Sequence, residues 1–105
     1  MMSKFVELIL TCGNQKEAEK IADSLLAQKL VACVKFTEVK SQFRWKGEVE
    51  TTNEIKLSMT TIADHFDKIE SEIAKLHSYE TFVLQQIPVT RINQAAADWL
   101  AGSTQ

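Results

Sequence analysis

From Glu48 to Met59 the chain alternates without interruption. Val49, Thr51, Asn53, Ile55, Leu57 and Met59 fall on one side and Glu48, Glu50, Thr52, Glu54, Lys56 and Ser58 on the other, the period of two of a strand with one buried face. Gly47, inside Lys46-Gly47-Glu48, marks a turn, and residues 43–61 on either side of it contain no proline and no second glycine, so the stretch predicts a long hairpin. Ile55, Leu57 and Met59 are large and apolar, whereas Val49, Thr51 and Asn53 are smaller or polar. The inner half should therefore lie on the core and the outer half should project beyond it, where a second copy of the chain could cover it.

The remaining periodicities fill in a complete domain. Phe5 to Thr11 is nearly continuous in apolar residues, as in a central strand. Gly13 turns the chain, Asn14 can cap a helix with Glu17 completing a capping box, and Ala18, Ile21, Ala22, Leu25 and Leu26 recur at helical spacing with Glu17, Lys20, Asp23 and Gln28 toward water. Val31 to Phe36 begins a second strand that continues to Trp45. Thr61 is placed to cap a second helix, with Asp64 in its first turn, Ile62, Phe66, Ile69, Ile73 and Leu76 along one face, His65 at the boundary, and an end near His77. Thr81 to Val89 predicts a last strand, with Pro88 tolerable on a sheet edge. Asn93 can cap a short final helix carrying Ala96, Trp99 and Leu100, stopped by Gly102. The pattern is α+β: a ferredoxin-like split β-α-β sandwich, βαββαβ plus a C-terminal helix, in a single domain over residues 1–105 with strand order 4-1-3-2.

Composition narrows the function classes. The 105 residues are 45% hydrophobic and 25% charged with a formal charge of -2, so no basic footprint for nucleic acid or an anionic membrane exists. No apolar run approaches a membrane span, and Met1-Met2-Ser3-Lys4 leads into a strand with no signal-peptide pattern. A cytoplasmic location is expected, with both cysteines as free thiols. In the expected fold Cys12 and Cys33 lie at opposite ends of the sheet, some 25 Å apart, which excludes an intrachain disulfide.

The same topology gathers Cys12, His77, Tyr79 and Glu80 at one end. His77-Ser78-Tyr79-Glu80 puts an imidazole, a hydroxyl, a phenol and a carboxylate in one helix-to-strand corner, and imidazole and thiolate are ligands that copper and zinc prefer. The alternative is a polar turn whose residues satisfy local backbone groups, since no CxxC or HxxxH spacing enforces a metal cage. Cys33, amid apolar neighbours, reads as a small buried hydrophobe. Trp45 is either a ligand-stacking ring or an interface anchor at the arm's tip, with Phe43 and Gly47 beside it at the expected interface. Three glycines in all, and no phosphate-cradling or oxyanion loop, argue against an enzyme.

Thr11-Cys12 before an acid-rich helix, Val31-Ala32-Cys33-Val34, Trp45-Lys46-Gly47 followed by Glu54, His77-Ser78-Tyr79-Glu80, Pro88-Val89 and Trp99-Leu100 together resemble the CutA family of divalent-cation tolerance proteins over almost the whole chain. The resemblance implies a tight homotrimer with arms packed strand to strand, an architecture similar to the PII signalling proteins, and a cytosolic role linked to copper and other divalent ions. It also implies a ligand cleft between subunits, for which Tyr79, Trp45 and Glu54 are the candidates, beside a metal set of His77, Cys12 and Glu80. The chain departs from the family pattern at Ser78, where proline is usual, at Phe82-Val83, where Pro-Glu is usual, and at Thr60, where lysine is usual. A Pro-Gly break is also absent from the second strand, with one residue fewer near Phe36 to Val39. Two functions follow from the resemblance: a non-enzymatic binding protein for copper or other divalent ions, or a PII-like sensor of a small metabolite that signals to a protein partner.

Overall fold

The computed structural model describes residues 4–104. In chain order the elements are β1 (Phe5–Cys12), α1 (Gln15–Ala27), β2 (Cys33–Trp45), β3 (Glu48–Ile62), a 3-10 turn (Ala63–His65), α2 (Phe66–Leu76), β4 (Leu84–Pro88) and α3 (Gln94–Ser103). The four strands form one antiparallel sheet in the order β2-β3-β1-β4, the order expected from the alternation of elements. On β1 the even positions Val6, Leu8, Leu10 and Cys12 are buried and the odd ones half-buried. Register sets Leu8 opposite Met59 and Leu10 opposite Leu57, and this face packs on Ile21 and Leu25 of α1 and Ile69 and Ile73 of α2 in one core. Each such side chain withdrawn from water contributes about 1.5–3 kcal/mol, which is why the two helices stay on one face of the sheet.

The arm projects as its pattern requires. The β2–β3 ladder runs from Cys33 opposite Thr60 out to Trp45 opposite Glu48, closed by Lys46 (φ 50) and Gly47 (φ 83). Two successive positive φ values match the twist of a hairpin and are strained for any residue but glycine, asparagine or aspartate. Ile55, Leu57 and Met59 are in the core while Val49 is 61% exposed and Phe43 is also exposed. The chain is accordingly elongated, 45 × 27 × 23 Å.

Six sequence expectations are corrected. Thr61 is not a helix cap: it lies opposite Val6 within β3, and its hydroxyl donates to the Leu30 carbonyl. The strand therefore continues to Ile62 and α2 starts only at Phe66. His65 is buried rather than peripheral, its Nδ1 3.1 Å from that same carbonyl, so the two side chains tie the α1–β2 loop to the start of α2. The last strand has five residues, not nine, because residues 77–83 wrap the end of β1 before pairing begins. Gly102 lies inside α3, and Asn93 at its N-cap position makes no side-chain cap bond. The cysteines are free, as expected, but Cys33 is level with Glu7 through Thr60, five residues from Cys12, so the offset along the sheet is about 17 Å. Pro88 does sit on an edge, since β4 pairs only with β1. Among the described residues no helix is long and apolar enough to cross a membrane.

Candidate functional site: the corner at the end of β1

Antiparallel pairing brings the exit of α2 beside the first turn of α1. Asn14 caps α1 by accepting the Glu17 N–H at 2.9 Å. The reciprocal half of the capping box is absent, because the Glu17 carboxylate is taken by the corner: Oε1 accepts the Ser78 N–H at 3.0 Å and Oε2 the Ser78 hydroxyl at 2.7 Å.

His77 joins the corner to β1. Its Nε2 lies 2.9 Å from the Thr11 carbonyl and its Nδ1 3.1 Å from the Tyr79 N–H. A carbonyl only accepts and a backbone N–H only donates, so these two partners assign a hydrogen to Nε2 and an accepting role to Nδ1; Glu17 Oε1, also 3.1 Å from Nδ1, pairs with the ring only when Nδ1 is protonated instead. The ring is fully buried, stacked on Phe82 at 5.3 Å and tilted against Tyr79 at 4.7 Å. Tyr79 in turn lies over Gly13, where a Cβ would come within 3.3 Å of its ring. Its hydroxyl donates to the buried carboxylate of Glu54 at 2.5 Å.

Cys12 completes the group from below. Its thiol is pushed up to about 12, first by burial and then by the negative charges of Glu17 and Glu54; burial and the Glu54 carboxylate also raise the Tyr79 phenol. An unfolded thiol ionises near 9.0 while the folded one keeps its proton, so the native state binds more protons between those values and stability falls as pH rises from about 9 toward 12. Urea midpoints followed from pH about 8 to 11 are expected to decline, and to decline less steeply in Cys12→Ala. A Cys12→Ala slope equal to that of the parent would contradict this account of the thiol.

Donor atoms of Cys12, Glu17 and His77 all lie within 4.8 Å of one another. Of the sequence-derived metal set, the fold therefore brings Cys12 and His77 together but leaves Glu80 out: that carboxylate is exposed, 3.9 Å from Lys46 Nζ. Glu17 stands in its place. By its sequence position Glu17 reads as a capping and solvent-facing residue; the signal for its role here is its place in the helix turn that topology sets against the exit of α2. Of the expected cleft residues, Trp45 and Tyr79 line one groove. Phe43, Trp45, Glu50, Thr52, Ser78, Tyr79, Glu80 and Thr81 line a groove of about 380 Å³ between arm and corner; Glu54 accepts from the Tyr79 hydroxyl but lines a separate pocket with Gly13, Asn14 and Val39. Of the departures, Ser78 is central to the corner. Thr60 lies away from it, between Glu7 and Cys33 in the sheet, and Val83 is exposed.

The family profile described as CutA1 divalent ion tolerance protein matches residues 6–103. This chain belongs to the CutA1 family. It is 34% identical over 93 residues to the divalent-cation tolerance protein CutA of Archaeoglobus fulgidus, covering 89% of this chain and 91% of that protein. It is 30% identical over 98 residues to the protein of that name from Thermus thermophilus, covering 92% and 95%. The solved structure described as the periplasmic divalent cation tolerance protein CutA from Archaeoglobus fulgidus superposes with a TM-score of 0.94 at 32% identity, covering 96% of this chain and 99% of that one. The matched span of the CutA1 profile contains both the arm and the corner.

Proposed function

We propose that this CutA1 chain is a non-enzymatic, cytoplasmic divalent-cation tolerance protein, working as a ferredoxin-like homotrimer that takes up copper, zinc or a similar ion at Cys12, Glu17 and His77. The observation that carries the reading is the grouping of a thiol, a carboxylate and an imidazole within 4.8 Å, a donor set suited to borderline and soft divalent ions, in a family described by tolerance to such ions. Uptake has a cost, since the thiol held up at about 12 must release its proton to the solvent for the sulfur to bind. The trimer reading is supported by the arm's exposed Phe43 and Val49 and by β2 and β4 as outer strands of the sheet, whose unpaired backbone edges assembly would cover.

A second reading draws on the groove. Its volume and aromatic lining by Phe43, Trp45 and Tyr79 are those of a small-molecule pocket, as a PII-like metabolite sensor would require. Calorimetry decides between them, with copper and zinc titrated against a panel of anionic metabolites and the N-terminal amine blocked. Cys12→Ser and His77→Gln are each expected to weaken ion binding at least tenfold, about 1.4 kcal/mol, without altering the oligomer. Unchanged ion affinity in both variants, or heat with a metabolite alone, would transfer the function to the groove.

A further inference from the structure

The group that would hold the ion is the same group that holds the corner shut. Nε2 of His77 is directed at the Thr11 carbonyl, so the nitrogen facing Glu17 Oε1, at 3.1 Å, is Nδ1. That atom has one lone pair, and the Tyr79 N–H already occupies it. The carboxylate of Glu17 has further lone pairs, yet both its oxygens accept from Ser78.

We propose that ion uptake at Cys12, Glu17 and His77 and the closed corner exclude one another, so that a bound divalent ion unlatches Ser78 and Tyr79 and reshapes the groove against the arm, with Ser78 setting the resistance to uptake. The inference rests on the ion-binding reading above and adds its regulation. Bonds of about 2.0–2.3 Å to a central ion set the donors within roughly 3.8 Å of one another; His77 Nδ1 and Glu17 Oε1, 3.1 Å apart, already meet this, so any approach required within the 4.8 Å group is between them and the Cys12 sulfur. An N–H dipole and a cation cannot share the single Nδ1 lone pair, so loss of the Tyr79 N–H bond is obligatory, whereas loss of the Ser78 bonds is graded.

The consequence passes directly to the groove, because Ser78, Tyr79, Glu80 and Thr81 form one of its walls and Phe43 and Trp45 the other. The Tyr79 ring is seated on Gly13 and anchored through its hydroxyl to Glu54, so moving its backbone strains or breaks that anchor. Linkage makes the effect reciprocal: anything bound in the groove that clamps Tyr79 in place weakens ion uptake by the factor by which the ion weakens its own binding. Ser78 is thus a positioning residue that tunes the site through Glu17.

The test uses zinc, which is redox-silent, on the full-length protein carrying Trp99→Phe, so that Trp45 is the single tryptophan. Trp45 emission and the backbone amide signals of Ser78 and Tyr79 are followed during titration, in parallel with Ser78→Ala, which removes one bond to Glu17, and Ser78→Pro, which removes both. Zinc is expected to shift the Tyr79 amide and the Trp45 emission together. Its affinity should rise about threefold in Ser78→Ala and at least tenfold in Ser78→Pro; the alanine variant serves alone if the proline variant does not fold. Zinc binding that depends on Cys12 but leaves the Tyr79 amide, Trp45 and the Ser78 series unchanged would overturn the coupling while the ion site stands. Binding that is absent, or unaffected by Cys12→Ser, would overturn both.

Discussion

Replacing His77 by alanine is expected to destabilise the protein by about 3 kcal/mol or more, a loss that no change on an exposed loop would produce. The ring is fully buried, and three separate contributions disappear with it. The Thr11 carbonyl loses its side-chain donor, the Tyr79 N–H loses its acceptor, and Phe82 and Tyr79 lose the ring against which they pack. Leaving a buried donor or acceptor unpaired costs about 1–3 kcal/mol per group, and the lost packing of the ring adds to that deficit. His77→Gln keeps an amide able to donate to Thr11 and should recover a large part of the loss. Urea denaturation at one fixed protomer concentration measures both variants. A cost under about 1 kcal/mol for the alanine variant would show that the corner does not depend on this ring. The result also bears on the proposed ion binding: alanine at 77 removes a support and the proposed ligand together, which is why glutamine is the cleaner probe of uptake.

Trp45→Ala should have the largest effect on assembly. Trp45 is half-buried at the outer end of β2, on the same face as exposed Phe43, while exposed Val49, opposite Arg44, lies on the other face of the arm, so a chain alone leaves apolar side chains at the tip without full cover. Truncating a central aromatic anchor of an interface typically costs 2 kcal/mol or more, and a closed trimer contains the same contact three times, so the deficit accumulates per assembled particle. Light scattering at low micromolar concentration is expected to give three times the 11.9 kDa protomer mass for the parent protein and for His77→Gln. The Trp45→Ala protein should drift toward the protomer mass on dilution. A parent protein that is monomeric under those conditions would refute the trimer, and a Trp45→Ala protein that resists dilution would move the anchor elsewhere on the arm.

Periodicity along the chain carried the elements and their order. The alternation of residues 48–59 specified β3 and which of its faces is buried, the apolar spacing of Ala18, Ile21, Ala22 and Leu25 specified α1, and the sequence of elements led to the sheet order that is observed. These were legible because burial of one face imposes a period of 2 or 3.6 on neighbouring residues, a constraint local enough to be written in consecutive positions. Local signals misled where a polar side chain had a distant partner. Thr61 looks like a cap, yet it bonds to Leu30; Glu17 looks like half of a capping box, yet it bonds to Ser78 across a separation of 61 residues. The carboxylate that joins Cys12 and His77 in the proposed ion site, Glu17 rather than Glu80, was decided only when the first turn of α1 met the exit of α2. The sequence by itself determined that Cys12 and His77 reach one end of the sheet. The tertiary structure alone decided which atoms of that corner are already engaged, because a hydrogen bond depends on direction and sub-ångström distance between segments that only the packed core brings into register.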